Sequence, residues 1–306
     1  MSQSSTGRAT GPIFQHPLGY LVGLHGVALL RAFAGEHDAA FTRARLDEVR
    51  ELLDRADRFG DGCEIPALTV SEAYDGWAPS YDGPNSIFGY EEPVLRPLLD
   101  ALPVGDAIDA ACGTGRHAAY LAARGHRVLG FDVSPGMLDV ARAKLPDVSF
   151  ATADVADLPV ADDSTDLVVV ALALSHVEDL GPVFAEAARV LRRGGHLVVS
   201  DTRGHFIGSH LYPLLKERAD GTGGYLPNWR HGTGEYVRTA LAHGFEVLAC
   251  EEPVREPLLP EEAETPQLPA AGEPVDVWEL MDHAPEATWA TYLGTPALVV
   301  WDFRLR

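Results

Sequence analysis

Ala107–Ala118, AIDAACGTGRHA, carries the pattern on which the fold turns. Ala107 to Ala111 is a short buried-strand pattern, the chain then turns through Cys112-Gly113-Thr114-Gly115, and a helix opens at Arg116. Glycines at 113 and 115 let the backbone approach a ligand that a side chain would hold off. The helix start beyond them offers unpaired N–H groups to an acceptor. Asp109 is at odds with its strand, because a buried carboxylate needs a partner. A ligand carrying a cation or several donors would supply one, which makes this a candidate cofactor site.

Downstream, strand and helix alternate. Helix Gly115–Arg124 is followed by strand Arg127–Asp132 (RVLGFD) and by helix Pro135–Leu145, with Ser134 as N-cap and Pro135 in the first turn. Strand Val148–Ala151 precedes a loop through Asp154 to Ser164. Thr165–Leu172 (TDLVVVAL) is a β-branched run of the kind buried on both faces. Helix Leu180–Leu191 is expected to stop at Arg192-Arg193-Gly194-Gly195, before strand His196–Asp201. This rhythm predicts an α/β fold, a doubly wound Rossmann-like sheet of mostly parallel strands. In such sheets ligands bind beyond the carboxyl ends of the strands. Asp132 closes the second strand, where an acid takes ribose hydroxyls, and Asp154 follows the third, where it could accept from an exocyclic amine. Asp109, Asp132 and Asp154 thus recur at equivalent places.

Composition limits the partners. The 306 residues carry a formal net charge of −21, which opposes binding to nucleic acid or an anionic membrane. Cys63, Cys112 and Cys250 are far apart, so neither a disulfide framework nor a metal site is expected. The polar start MSQSSTGRATG lacks the apolar region of a signal peptide, and no apolar run reaches spanning length; a cytoplasmic protein is expected.

Around the α/β core, residues 1–16 read as a disordered tail and 17–69 as a helical hairpin. Its helices are Pro17–Phe33 and Asp38–Phe59, the second with Phe41, Val49, Leu52, Leu53, Ala56 and Phe59 at helical spacing. The hairpin would pack on the core, cover a substrate pocket as a lid, or make a homodimer. Residues 70–306 form the main domain. It opens with an aromatic, acidic segment, Tyr74-Asp75 to Tyr81-Asp82, and a helix over Glu91–Leu102. Residues 202–234 read as a substrate cap, and 252–295 as a Glu/Pro-rich insertion that Trp278, Met281, Trp289 and Tyr292 return to the body. Strands Phe245–Glu251 and Pro296–Arg304 flank that insertion.

Gly113-x-Gly115-x-x-Ala118 also satisfies a dinucleotide fingerprint. Asp109 directly upstream would repel a pyrophosphate, however, and a cationic sulfonium suits the acidic surroundings better. Residues 70–205 resemble the class I S-adenosylmethionine-dependent methyltransferases, in the small-molecule (type 11-like) group. The resemblance lies in DAACGTGRHAAYLAARG, GFDVSPGMLDVARAK, ATADVADLPVADDSTDLVVVALALSHVED and ARVLRRGGHLVVSD, with YDGWAPSYD matching a Tyr-Asp pair often found ahead of that domain. Ala111 stands where the family usually has Gly. The resemblance implies a seven-stranded sheet with an antiparallel last strand, and S-adenosyl-L-methionine as cofactor with S-adenosyl-L-homocysteine as product. It puts Asp109 and the Ala111–Gly115 backbone (Cys112, Gly113 and Thr114 between) beside the methionyl part. Asp132 and Val133 lie at the ribose, Asp154, Val155 and Met137 at the adenine, and Ala171-Leu172 at the methionine tail. Tyr74 and Tyr81 close over the cofactor.

Methyl transfer from a sulfonium needs alignment and exclusion of water, so a catalytic base is optional. His176, just after the fourth strand, is the best placed base, with His231 and Tyr81 as further catalytic candidates. His205, His210, Tyr225, Trp229 and Arg230 are candidate contacts to a small-molecule acceptor, the aromatics suiting a planar or apolar one. The leading expectation is a methyltransferase acting on an O, N or C nucleophile in specialised metabolism. A cyclase or isomerase using the same cofactor pocket, or a non-catalytic partner protein, are the rivals.

Overall fold

The computed structural model describes residues 11–203, 211–218, 220–255 and 275–306. Expectations placed on 1–10, 204–210 and 256–274, His205 and His210 among them, lie outside these. β1 (Ile13–Gln15) pairs antiparallel with β2 (Cys63–Ile65), and α1 (Pro17–Phe33) and α2 (Ala39–Asp54) run between them. The tail expected through residue 16 is therefore ordered at its end. α3 (Val70–Trp77) and α4 (Ser86–Asp100) lead into the alternating core. That core is β3 (Asp106–Ala110), α5 (Arg116–Ala123), β4 (Arg127–Asp132), α6 (Pro135–Lys144), β5 (Ser149–Thr152), β6 (Thr165–Ala171), α7 (Leu180–Val190) and β7 (Leu191–Thr202). A hairpin of β8 (Leu211–Glu217) and β9 (Gly223–Trp229) follows, then α8 (Thr233–Ala242), β10 (Phe245–Glu251), α9 (Val277–Asp282), α10 (Pro285–Tyr292) and β11 (Leu298–Leu305).

Seven of these strands form one sheet in the order β10-β11-β7-β6-β3-β4-β5. β3 pairs in parallel with both β4 and β6, and β11 runs antiparallel between β7 and β10. The strand order reverses at β3, so the crevice beyond the carboxyl ends of β3, β4 and β6 is where such a sheet binds ligands. The run TDLVVVAL is buried on both faces. Val168 and Val170 meet Phe184 of α7 and Tyr236 of α8, while Leu167 and Val169 meet Leu95 and Leu99 of α4 and Leu121 of α5. No helix among the described residues is long and apolar enough to cross a membrane.

Two expectations about local structure are corrected. α7 ends at Val190, and Leu191 is already extended and paired with Thr165; Arg192–Gly195 form a bulge within β7 rather than a helical last turn. Arg192 holds that bulge by bonding Asp166, Asp106 and the Ser164 carbonyl. α4 begins at Ser86, with Asn85 accepting from the Ile87 N–H, and continues through Pro93 and Pro97. Within the stretch read as a substrate cap, β8 and β9 pair as a two-stranded antiparallel ribbon. Its prolines, 213 and 227, oppose each other in register, so the donors they lack fall on one rung.

The N-terminal hairpin packs on the segment that follows residue 274. Leu21, Leu24 and Ala28 of α1 share a core with Leu280, Ala284, Ala287 and Ala290 of α9 and α10. Arg31 of α1 donates to the Leu293 carbonyl at 2.8 Å, and Thr291 donates to the Leu24 carbonyl at 3.2 Å. Leu21, Leu24 and Ala28 of α1 are thus covered within the chain. Leu24→Ala should cost about 2–4 kcal/mol in denaturant unfolding, with the whole chain still melting in one transition. A separate early transition would show that the helical module folds independently of the sheet.

Candidate functional site

Two cavities open at the carboxyl edge of the sheet. The first, about 340 Å³, lies over the ends of β3, β4 and β6. Its floor is Ala111 and Gly113 after β3, Asp132 and Val133 after β4, and Ala171 and Leu172 at the end of β6. Asp154 and Val155 close one end, and the N-terminus of α3, from Thr69 to Ser71, closes another. Gly113 has φ +53°, a conformation open to glycine, and its N–H donates to Asp132 Oδ2 at 2.8 Å. Asp132 Oδ1 accepts from the Ser134 N–H at 2.9 Å, and burial raises this carboxyl above its ordinary value. Asp154 is exposed at the rim and accepts from the Ala156 N–H.

The repeated Tyr-Asp pair has a clear physical division. Both tyrosines face the cavity, while both acids anchor the segment that carries them. Asp75 accepts from the Ser134 hydroxyl at 2.5 Å and from the Gly136 N–H at 2.9 Å, clamping α3 onto the first turn of α6. Asp82 accepts from the Thr114 hydroxyl at 2.7 Å and from Lys144 at 2.8 Å, tying the segment to the glycine turn. A capping box at Thr69 and Glu72 starts α3. That Thr-x-x-Glu signal was in the sequence, but the cavity wall it makes was not read from it.

The second cavity is larger, about 740 Å³, and mostly apolar. It lies between α3, α4, the β8–β9 ribbon and the helices α9 and α10. Tyr74, Tyr81, Leu172 and His176 line both cavities and form their common wall. His176 Nε2 is 2.7 Å from the Tyr74 hydroxyl, and Nδ1 is 3.3 Å from the Pro227 carbonyl. A carbonyl can only accept, so Nδ1 carries the proton and Nε2 accepts from Tyr74. Burial lowers the imidazole to about 4, and burial pushes Tyr81 up to about 12. The wall is therefore uncharged at neutral pH.

Behind the wall stands a polar network that sequence reading passed over. Asp201, at the end of β7, accepts from the Ser175 N–H at 3.0 Å and from the Tyr236 hydroxyl at 2.6 Å. Glu91 of α4 is fully buried and receives the Ser200 hydroxyl and Arg116. Burial alone would raise Glu91, but His117, Arg116 and Ser200 outweigh it and hold the carboxyl down to about 2. A fourth acid at a strand end, Asp201 in HLVVSD, was the visible signal.

Several sequence-predicted residues stand elsewhere. Asp109 sits behind the floor and is 1% exposed; it accepts from the Ala118 N–H, Oδ2 lacks a partner, and burial raises its carboxyl to about 6. Its carboxylate meets the start of α5. Cys112, Thr114, Gly115 and Met137 are also off the wall. Thr114 is spent on Asp82, Gly115 faces Leu145, Ala141 and Phe150, and Met137 is buried beneath its helix. His231 is corrected as a catalytic candidate. It is 4% exposed, Nε2 donates to the Val177 carbonyl at 2.7 Å, and Nδ1 meets Glu235 at 3.1 Å, so it pins the His176 loop to α8. The acceptor contacts are corrected too. Tyr225 is buried with its hydroxyl on the Gly11 carbonyl, Trp229 is buried off the cavity, and Arg230 is exposed. The ribbon's inward residues are instead Tyr212, Leu214, Lys216 and Asn228. Side chains alternate between the two faces of a strand, so Asn228 turns into the cavity and its neighbour Trp229 turns away.

The donor set separates the two cofactor readings. No Lys or Arg lines the smaller cavity among the described residues, whereas Asp132 and Asp154 do. A pyrophosphate would meet carboxylates there, and a sulfonium nucleoside with ribose hydroxyls and an amine would be matched. Residues 108–199 match the family model described as Methyltransferase domain. A demethylmenaquinone methyltransferase of Beutenbergia cavernae is 33% identical over 163 residues, 48% of this chain and 68% of that protein. The chain belongs to the class I S-adenosylmethionine-dependent methyltransferases. A second demethylmenaquinone methyltransferase, from Renibacterium salmoninarum, is 35% identical over 137 residues, 43% of this chain and 58% of that protein. The chain spans about three fifths of the length of the first curated relatives it matches. The [4+2]-cyclase SpnF shares the fold, with a TM-score of 0.52 and 18% identity over 79% of this chain and 98% of its own. S-adenosylmethionine is the family's cofactor, and Tyr74, Tyr81, Ala111, Gly113, Asp132 and Asp154 line the cavity whose donor set suits it.

His176 gives the site a signature in stability. An unfolded imidazole takes its proton near 6.5, and the buried one resists until about 4, so acid favours the unfolded chain. Its contribution is complete above pH 6.5 and is lost as pH falls through 6.5 towards 4, to the order of ~3 kcal/mol. Urea unfolding of wild type and His176→Gln at pH 7.5 and 4.5 reads this directly. The wild type should lose more stability between the two; equal losses would remove His176 from the buried, neutral state.

Proposed function

We propose that the protein transfers a methyl group from S-adenosylmethionine to a small-molecule acceptor held in the larger cavity. The observation that carries this is the common wall. A donor in the smaller cavity and an acceptor in the larger one would meet at Tyr74, Tyr81, Leu172 and His176. When bound, S-adenosylmethionine supplies a methyl carbon on a sulfonium, whose C–S bond breaks with its electron pair left on sulfur. The acceptor atom would form the new bond to that carbon, and the proton it loses would pass to solvent.

The chain's own residues have three tasks. Asp132 and the Gly113 loop fix the nucleoside end, since a carboxylate already shaped by two backbone N–H groups is preorganised for ribose hydroxyls. Tyr74 and Tyr81 close the junction and exclude water. His176 acts as a positioning residue, holding the Tyr74 hydroxyl through Nε2. An imidazole at about 4 is a poor proton acceptor near neutrality, so alignment carries most of the acceleration. The apolar volume of the second cavity and the relatives named for demethylmenaquinone both support a small organic acceptor.

Calorimetric titration separates this reading from a nicotinamide enzyme. S-adenosylmethionine should bind and NADH should not, and Asp132→Ala should weaken the former about 10–100-fold, a loss of roughly 1.4–2.8 kcal/mol. Incubation with labelled cofactor and metabolite extracts should yield S-adenosylhomocysteine and a product heavier by one methyl. Cofactor binding with product formation but no S-adenosylhomocysteine would favour the cyclase or isomerase reading, for which the SpnF fold is a precedent.

A further inference from the structure

Lys216 is out of place for an ordinary surface lysine. It sits in the apolar run LYPLLKE of β8, and its side chain turns into the larger cavity. Its ammonium lies 3.3 Å from the centroid of the Trp77 ring. Among the described residues no carboxylate is within ion-pair reach of it. A half-buried ammonium without a counter-ion is costly, and an aromatic face offsets part of that cost. In a chain with 45 acids against 24 lysines and arginines, a cavity lysine that makes no ion pair with a described acid is notable, Asp276 acting on it only from beyond ion-pair distance. Trp77, Tyr81 and Trp289 line the same cavity.

We propose that Lys216 is the anchor for an anionic oxygen group on the acceptor, so that the larger cavity takes a planar or apolar molecule bearing one carboxylate-like charge. This deepens the methyltransferase reading and rests on it for the word acceptor, while anion recognition by the cavity at Lys216 does not depend on it. The groups facing Lys216 are His176 from the loop after β6 and Asp276 at the start of α9. His176 is neutral, and Asp276 directs its carboxylate to the Trp278 N–H. Arg255 and Asp282 also line the cavity. Burial brings Lys216 down to about 8, so its charge, and with it the preference for an anion, fades as pH rises through that value.

Two fluorescent probes of similar shape test this, because they differ chiefly in charge. 8-Anilinonaphthalene-1-sulfonate carries a sulfonate and N-phenyl-1-naphthylamine carries none. Wild type at pH 7 should bind the sulfonate at least tenfold more tightly, and this advantage should shrink towards parity by pH 9.5. Lys216→Met should abolish the advantage while leaving the neutral probe within about twofold, and Lys216→Arg should retain it. S-adenosylmethionine titrations on both variants, unchanged within about twofold, show that each is folded. Equal binding of the two probes by wild type, or a sulfonate preference that survives Lys216→Met, would overturn the proposal. Failure of S-adenosylmethionine to bind wild type would instead count against the methyltransferase reading.

Discussion

Two residues without the freedom of glycine occupy left-handed backbone at neighbouring strand ends, Ala111 at φ +59° and Leu172 at φ +55°. Each such turn costs on the order of 1–2 kcal/mol, and the surrounding structure must hold it in place. Around Ala111, the next amide, Cys112 N–H, donates to the Phe131 carbonyl at 2.8 Å, while the Leu172 N–H donates to the Ser200 carbonyl at 2.8 Å. Ser200 in turn gives its hydroxyl to Glu91, which Arg116 neutralises. These turns swing the chain away from β3 and β6 and leave the crevice that both cavities share. The family's usual glycine at position 111 has its reason here: the turn asks for positive φ. Alanine supplies it only because β4 and the glycine loop secure the next residues.

Much of this was legible in one dimension. The alternation of apolar strands and amphipathic helices dictates a parallel sheet, and acids at strand ends mark its ligand edge. Asp132, Asp154, Ala111 and Gly113 stand on the cavity because local chain geometry puts them there. Asp109 and Thr114 do not, since their side chains point away and their partners, Ala118 and Asp82, become neighbours only in three dimensions. His231 illustrates the same limit. A histidine among glycines resembles a mobile acceptor contact, yet two carbonyls of another loop and Glu235 surround it. The β8–β9 ribbon escaped notice because its two prolines depress strand propensity, and only their mutual register makes them tolerable.

The parts outside the sheet divide the labour. The Tyr-Asp segment joins α6 and the glycine turn through its acids, so its aromatics are held by rigid elements. The N-terminal hairpin stands behind α9 and α10, which present Trp289, Thr288 and Met281 to the larger cavity. Variation in that outer shell would change what the cavity accepts without touching the sheet. This is how one fold hosts many acceptors.

The central claim is that one wall separates donor from acceptor. A crystal structure with S-adenosylhomocysteine tests it most directly. The account predicts the nucleoside between Asp132 and Asp154, with the sulfur against Tyr74, Tyr81, Leu172 and His176 and turned towards the larger cavity. A ligand seated elsewhere, or a sulfur turned away from that wall, would contradict it.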